Sequence, residues 1–488
     1  MAKFNIRESF KSQKFKYGGY STLMTAIVLA IVIIVNLVVG MDRVNKSIDL
    51  TQNKLFSLSS ESKQILKKVN QKVTIVGLYE QGKDAGFISQ IKQILKQYQS
   101  ASSNIDLQYV DPELHPGYVT KYKDAKNITT NSIVVECGTK YKVLAQSDLF
   151  EYDYSNYNPY DTSSQPQVTS VVAEQKLTSA ILYVTSDKNP TIYTLQGHEE
   201  GALSQSYTQY FADENYTLKD VSLLNEELKT QSGDILLINS PQKDLSDMEF
   251  NKIKDYLAGG GRAMFLMGLS EKELPNFKKL LNLYGVDVNR AIVLEGDNNH
   301  IYQSPVNILP NLGSHEITNP ISSSKMNVII SGAMPIKQVS VKKDTLKIES
   351  LLSTSDKAYG RVDLTKNVIE KQADDIKGPF DVAVAVTDAV DQSNTDKNAK
   401  LVVFSSPTII DEQLMQLSNG ANIDIFLNSM NWLAEKKDSL VIRPKSLAVE
   451  SLDMTQSQSL TVAAIAVIFI PGVVAVAGIC VWLRRRHL

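Results

Sequence analysis

Cysteine is almost missing from this chain: Cys137 and Cys480 are the only two in 488 residues. Cys480 lies inside a long apolar run near the C-terminus and Cys137 in the polar middle. The two are expected on opposite sides of a membrane boundary. That excludes an internal disulfide, thiol-pair redox chemistry and a cysteine-held metal. The histidines His115, His198, His300, His315 and His487 are scattered, with no H-x-x-x-H spacing to aim two imidazoles at one metal. No G-x-x-x-x-G-K-[ST] loop occurs. Gly259-Gly260-Gly261 falls at a helix end, where N–H groups are not available to cradle phosphates. Ser270 lacks the G-x-S-x-G frame of a nucleophile elbow. Catalytic residues, a metal and a cofactor are therefore not expected, and the chain does not read as an enzyme.

Charge is missing from two stretches, residues 20–40 (YSTLMTAIVLAIVIIVNLVVG) and 460–483 (LTVAAIAVIFIPGVVAVAGICVWL). Each is long enough for a helix to cross a hydrocarbon layer of about 30 Å. The apolar core of the first exceeds a signal-peptide h-region and no A-x-A site follows, so it is expected to be retained. Lys3, Arg7, Lys11, Lys14 and Lys16 precede the first run, and Arg484, Arg485 and Arg486 follow the second. The positive-inside bias puts both termini in the cytoplasm and everything between on the far side. Of the net charge of −2, the N-terminal tail contributes +4 and the arginine run +3, which leaves −9 for the remainder. A mildly acidic exported portion without a basic patch excludes nucleic acid as partner. Phe4, Ile6, Phe10 and Phe15 among the basic tail residues suit contact with membrane lipid.

The expected layout is a basic tail (1–19), a first span (20–41), a connector (42–70) and an α/β module (71–150). A loop and linking helix (151–190), a larger α/β domain (191–440), a connector (441–459), a second span (460–483) and a basic tail (484–488) follow. The order over 73–144 is βαβαββ, that of a thioredoxin-like module without its C-x-x-C pair. Residues 151–166 read as a loop and 168–184 as a helix. Apolar strands at 191–195, 235–238, 263–267, 382–386 and 401–404 alternate with helical stretches. The pattern predicts a doubly wound, mostly parallel sheet. Ser246-Asp247-Met248-Glu249 is a capping box opening one helix. Residues 296–320 read as a long polar loop.

The segment Asp49-Leu50-Thr51-Gln52-Asn53-Lys54-Leu55-Phe56-Ser57-Leu58-Ser59 resembles the D-L-T-x-N-K-L-[YF]-S-L-S motif of the GldG-like family. Members are auxiliary membrane subunits of ABC transporters associated with gliding motility. Gly197-His198-Glu199-Glu200 resembles the family's G-H-x-E turn. Residues 245–266 resemble its L-S-x-x-E…Y-L-x-x-G-G run, and 428–433 with Arg443-Pro444-Lys445-Ser446 its N-W-L…R-P-K-S ending. The resemblance implies a Rossmann-like, amidotransferase-like ectodomain fold without a catalytic triad. It also implies partners, an ABC permease and a cytoplasmic ATPase, and the lack of disulfides and lipidation signals fits a bacterial plasma membrane. A cell-surface binding or adhesion module held by two helices is the alternative.

Two places are candidate sites. The turn holding His198, Glu199 and Glu200 follows a buried strand, and Asn239 and Ser240 end a neighbouring one. Loops at the carboxyl ends of strands line the ligand crevice in open α/β sheets. Either these groups bind a polar ligand or they satisfy local backbone and brace the sheet. The connector residues Asp49, Leu50, Thr51, Asn53, Lys54, Leu55, Phe56 and Leu58 are the second. Its apolar members are expected to dock against protein, since leaving them in water costs about 25 cal/mol per Å².

Overall fold

The computed structural model describes residues 13–39, 49, 51, 53–83, 86–122, 128–153, 166–186, 189–229, 233–324, 326–365, 370–389, 398–436, 442, 444–447 and 465–486. The basic tail at 1–12, most of the 151–166 loop and the connector at 448–459 lie outside them. The chain divides into two compact units, one ending at Leu58 and one starting at Ser59.

In the first unit, α1 (Gln13–Val39) is a single helix whose described side chains from Thr22 to Ile34 are all exposed. Near the other end of the chain, a π-helical turn (Ile465–Phe469) leads into a helix over Ile470–Arg486. Among the described residues Ile465–Arg484 is the one helix long and apolar enough to cross a membrane, and none of it is buried.

The second unit opens with α2 (Ser60–Lys68), capped by the Ser59 side chain. Then come β1 (Val73–Leu78), α3 (Phe87–Ala101), β2 (Ile105–Val110), β3 (Ile133–Cys137) and β4 (Lys140–Leu144). They form a four-stranded sheet in the order β2-β1-β3-β4, with β1 and β2 parallel and the other pairs antiparallel. Between β2 and β3 the expected helix shrinks to one turn, Pro116–Val119, and a 3-10 turn to Tyr122.

Next come β5 (Phe150–Asp153), β6 (Gln167–Val171) and α4 (Ala173–Thr185). The expected helix start at 168 is therefore corrected. Residues 167–171 are rich in β-branched residues, and β5 offers them an edge to pair with. A one-dimensional helical period could not show that edge.

The second unit continues with β7 (Thr191–Leu195), α5 (Gln205–Asp213), β8 (Thr217–Val221), β9 (Ile235–Asn239), α6 (Asp247–Ala258), β10 (Arg262–Leu266) and α7 (Pro275–Leu283). It continues through β11 (Val286–Val288), β12 (Ile292–Leu294), β13 (Ile301–Tyr302), β14 (Ser304–Ile308), β15 (Asn311–Leu312), β16 (Ile330–Ser331), β17 (Ile336–Gln338), β18 (Leu346–Ser353), β19 (Tyr359–Arg361), β20 (Ile376–Lys377), β21 (Asp381–Asp388) and β22 (Ala399–Phe404). Then α8 (Ala421–Leu433) follows, and β23 (Lys445–Ser446) returns to pair with β6.

Ten of these strands make one sheet, with the backbone order β11-β17-β21-β22-β10-β9-β7-β8 and β15 and β18 at its side. The run β22-β10-β9-β7-β8 is parallel, and everything beyond β22 is antiparallel. A mostly parallel sheet is thus corrected to a mixed one. The stretch between β21 and β22 is too short to carry a crossover helix, so the chain can only fold straight back. Both faces of the parallel half are covered. Met264 and Leu266 pack with Tyr207, Phe211 and Phe426 on one face, Ala263 and Phe265 with Phe250, Ile253 and Phe277 on the other. Double burial is why these strands are continuous apolar runs without polar alternation.

The expected 296–320 loop is folded. It carries β13, β14 and β15, and its Ile308 and Ile317 are buried in the core. Single apolar residues spaced among polar ones leave no period to detect.

Candidate functional site

The parallel strands place β7 between β8 and β9, so the chain leaves β7 toward one side and returns to the other. The carboxyl ends of β7 and β9 therefore diverge, which opens the crevice position of an open α/β sheet. The turn after β7 fills it. Gly197 (φ +119°) permits the reversal, and Glu199 (φ +57°) and Ser240 (φ +49°) take left-handed backbone without being glycine. Such positions are strained and persist only where surrounding contacts hold them.

The contacts are ionic. His198 is buried, with Nδ1 3.1 Å from Glu200 Oε1 and Nε2 3.3 Å from Glu249 Oε2. Glu200 Oε2 also accepts the N–H groups of Gly197 (3.1 Å) and His198 (2.9 Å). Glu249 completes the expected capping box by accepting from the Ser246 N–H and hydroxyl. The His198 carbonyl accepts the N–H groups of Gln242 and Lys243. Hydrogen bonding to Glu200 raises the imidazole pKa, against burial, and the Glu249 charge adds to it. Burial pushes the Glu200 and Glu249 carboxyls up, but hydrogen bonds outweigh it and hold both below their usual range, those to His198 leading at Glu200 and those from Ser246 at Glu249. The His198 ring thus fastens the β7 turn to the first turn of α6, and both its nitrogens are used.

Of the predicted residues, His198 and Glu200 face inward together, and Asn239 sits beside them. The Asn239 side-chain N–H donates to the Gly201 carbonyl at 2.6 Å, while its Oδ1 is buried with no hydrogen-bond partner among the described residues. Ser240 Oγ faces Gln242 at 3.4 Å and lies where a side chain on Gly268 would clash. Glu199 points outward to Lys243 at 2.8 Å in an exposed pair worth little. Glu249 was legible as a helix cap and missed as a partner of His198, because 51 residues separate them. The arrangement holds shape.

The connector is a compact turn built on its first and third motif positions. The Asp49 carboxylate accepts from the Thr51 N–H (3.0 Å), the Thr51 hydroxyl and the Phe56 N–H (2.7 Å). Thr51 Oγ1 accepts the Leu55 N–H at 2.8 Å, and Lys54 takes a left-handed conformation (φ +47°). Burial raises the Asp49 pKa, and these hydrogen bonds more than reverse it. Leu55, Phe56 and Asn53 are half-buried and Leu58 is buried, whereas Lys54 is exposed. Leu50 lies outside the described residues.

A third cluster had no signal of its own in the sequence. Glu174, in the first turn of α4, is buried, and its Oε1 accepts both the N–H (2.7 Å) and the hydroxyl (2.6 Å) of Ser59. Its Oε2 is 2.6 Å from Lys445 Nζ. Tyr98 of α3 donates to the Glu174 carbonyl at 2.8 Å and meets Thr178, which also faces Ser62. Burial pushes the Glu174 carboxyl up, and hydrogen bonds from Lys445 and Ser59 override it and hold it below the usual range.

The model of a family described as an ABC-type uncharacterized transport system matches residues 189–434, just over half of the chain. The chain belongs to this family. A domain of unknown function (DUF7088) matches residues 52–151. No curated protein matches. Among solved structures, the mmIFT52 N-terminal domain is similar at 16% identity with a TM-score of 0.36, over 50% of this chain and 96% of that one. PurLQS from Thermotoga maritima is similar at 10% identity with a TM-score of 0.25, over 50% of this chain and all of that one.

The part matching the transport-system family begins just before β7 and ends just after α8, so the His198 clamp belongs to the family's own portion. Glu174 and Lys445 fall outside it, between and after the matched stretches.

Two outcomes are expected. Removing one member of a buried charge pair costs about 3–5 kcal/mol, so His198→Ala should lower unfolding stability by roughly that amount. The raised His198 pKa gives a contribution that is complete below the ordinary value of 6.5 and lost as pH rises through the raised one. The Glu200 and Glu249 contributions are complete above 4.5 and lost as pH falls through their lowered values. Thermal unfolding between pH 5 and 9 should therefore show a decline from about 6.5 upward that His198→Ala abolishes. Separately, Glu174→Gln and Lys445→Met should couple in a double-mutant cycle by roughly 1–3 kcal/mol. Additive effects would show that the pair contributes nothing.

Proposed function

We propose that this chain is a non-catalytic accessory membrane subunit of an ABC transporter. Its exported ectodomain extends the outer side of the permease, to handle substrate, gate its exit or couple transport to a surface machine. The observation that carries the reading is the family match over 189–434, in a chain that also has an exposed, membrane-length apolar helix at 465–484. In this reading residues 20–41 form a second span and both termini are cytoplasmic. The permease and a cytoplasmic ATPase are its partners. The unit at 71–150 is a thioredoxin-like module that has kept the strand order and dropped the thiols, and the larger domain is amidotransferase-like without a triad.

The topology has a mechanical consequence. About twenty residues separate the end of α1 from Ser59, and about twenty separate Lys445 from Ile465. Both proposed spans are therefore tied through connectors of similar length to one buried carboxylate, Glu174. His198 and Glu200 keep the crest of the sheet rigid in this reading, and the groups left facing outward at the crest, Glu199 and Lys243 among them, are open to a partner.

Two measurements test it. In a Cys480→Ala background, Cys137 is the sole thiol, and a membrane-impermeant maleimide should label it in intact spheroplasts. Labelling that requires permeabilisation would overturn the exported orientation. Affinity purification of the full chain in a mild detergent should recover a multi-span permease and a nucleotide-binding subunit, and recovery of neither would remove the transporter assignment.

A further inference from the structure

At the carboxyl end of β10, two strands over from the His198 turn, a cleft of about 490 Å³ opens between the 267–270 loop, α7 and the segment after β11. That volume is in the usual range of about 300–1,000 Å³ for a small-molecule site. Its floor is apolar and soft: Met267 and Met334 are buried, and Leu281, Leu274 and Val288 complete it. Thioether side chains adapt to irregular or flexible apolar ligands.

The mouth is cationic. Lys278, Lys279 and Arg290 stand on it against one carboxylate, Glu273. Lys278 is engaged with Asp287 at 3.3 Å. Among the described residues Lys279 and Arg290 have no carboxylate partner. Lys279 lies over the Phe250 ring at 4.9 Å. One Arg290 nitrogen donates to the Ser270 and Glu271 carbonyls, each at 3.1 Å, which fixes the guanidinium at the rim and leaves its other donors for a ligand. Ser270 itself is occupied, its hydroxyl donating to the Lys272 carbonyl at 2.5 Å.

An apolar floor beneath a fixed guanidinium selects a molecule with one greasy body and one anionic end. The planar fork of arginine matches a carboxylate. We infer that this cleft binds a single-chain fatty-acid-class carboxylate, its chain over Met267 and Met334 and its carboxylate at Arg290, with Lys279 beside it. The inference deepens the accessory-subunit reading by giving the ectodomain a ligand class. It is tested on the isolated chain, so a failure to recover transporter subunits leaves it standing, and its own failure leaves that reading standing.

The test uses the full chain in lipid nanodiscs with a photoreactive diazirine derivative of decanoic acid. Cross-linked peptides should map to residues 267–290. Arg290→Gln with Lys279→Gln, both exposed and so tolerable, should cut that labelling at least tenfold while labelling of the 465–486 helix stays unchanged as internal control. The alcohol of the same chain length should label the cleft at least tenfold less. Unlabelled acids of increasing length should compete about fourfold better per added methylene, the equivalent of about 0.8 kcal/mol each, until the cleft is full. Labelling confined to the apolar helices, equal labelling by the alcohol, or labelling unmoved by the double substitution would each overturn the inference. So would displacement by an apolar peptide acid where decanoate fails, which would make the occupant a polypeptide.

Discussion

One buried carboxylate joins the far ends of this chain. Glu174 receives Ser59, where the N-terminal connector ends, and Lys445, where the C-terminal one begins. It sits in the first turn of a helix, whose unsatisfied N–H groups and dipole favour a negative charge there. A carboxylate and an ammonium taken out of water are tolerable only when the remaining lone pairs are filled, and the Ser59 N–H and hydroxyl fill them. Around it Tyr98, Thr178 and Ser62 extend the polar contacts to α3 and α2. The small module, the linking helix α4 and the returning strand β23 thus share one electrostatic node. β23 has only two residues and is held both by its pairing with β6 and by the Lys445–Glu174 ion pair.

The same logic recurs at the crest of the large sheet. His198 is held between Glu200 and Glu249, so a turn with left-handed residues is fastened to the start of α6. The backbone strain at Glu199 and Ser240 is offset by charge-assisted hydrogen bonds that only a closed site can make. What a sequence pattern offers as a cluster of potential ligands is here largely consumed by the fold. The face left to solvent beside it is different in character, with methionine and leucine beneath fixed cations.

Strands with both faces buried declared themselves. Residues 235–238 and 263–267 are apolar throughout because helices cover both sides, and Ser246 with Glu249 announced the start of α6. Elements whose stability comes from a neighbour did not. Residues 167–171 are a strand because β5 lies alongside, and 296–320 folds because two isolated isoleucines, Ile308 and Ile317, find the core. Direction was equally hidden: β21 and β22 read as buried strands, but only the short link between them makes them antiparallel. At the sites, the motif residues Asp49, Thr51, His198 and Glu200 were visible, while Glu174 had neither period nor motif to mark it.

By itself the sequence determined the quantities that are sums over neighbouring residues. These are the length of each apolar run, the period of each buried face, the helix caps, and the lack of thiols and phosphate loops. Such properties depend on local spacing, and local spacing is what a chain displays. Only the tertiary structure decided which charges meet, because ion pairs such as Glu174–Lys445 and His198–Glu249 span hundreds or tens of residues and act over a few ångströms. It also decided which strands run antiparallel and where an apolar cleft stays open, since both follow from how whole elements are stacked.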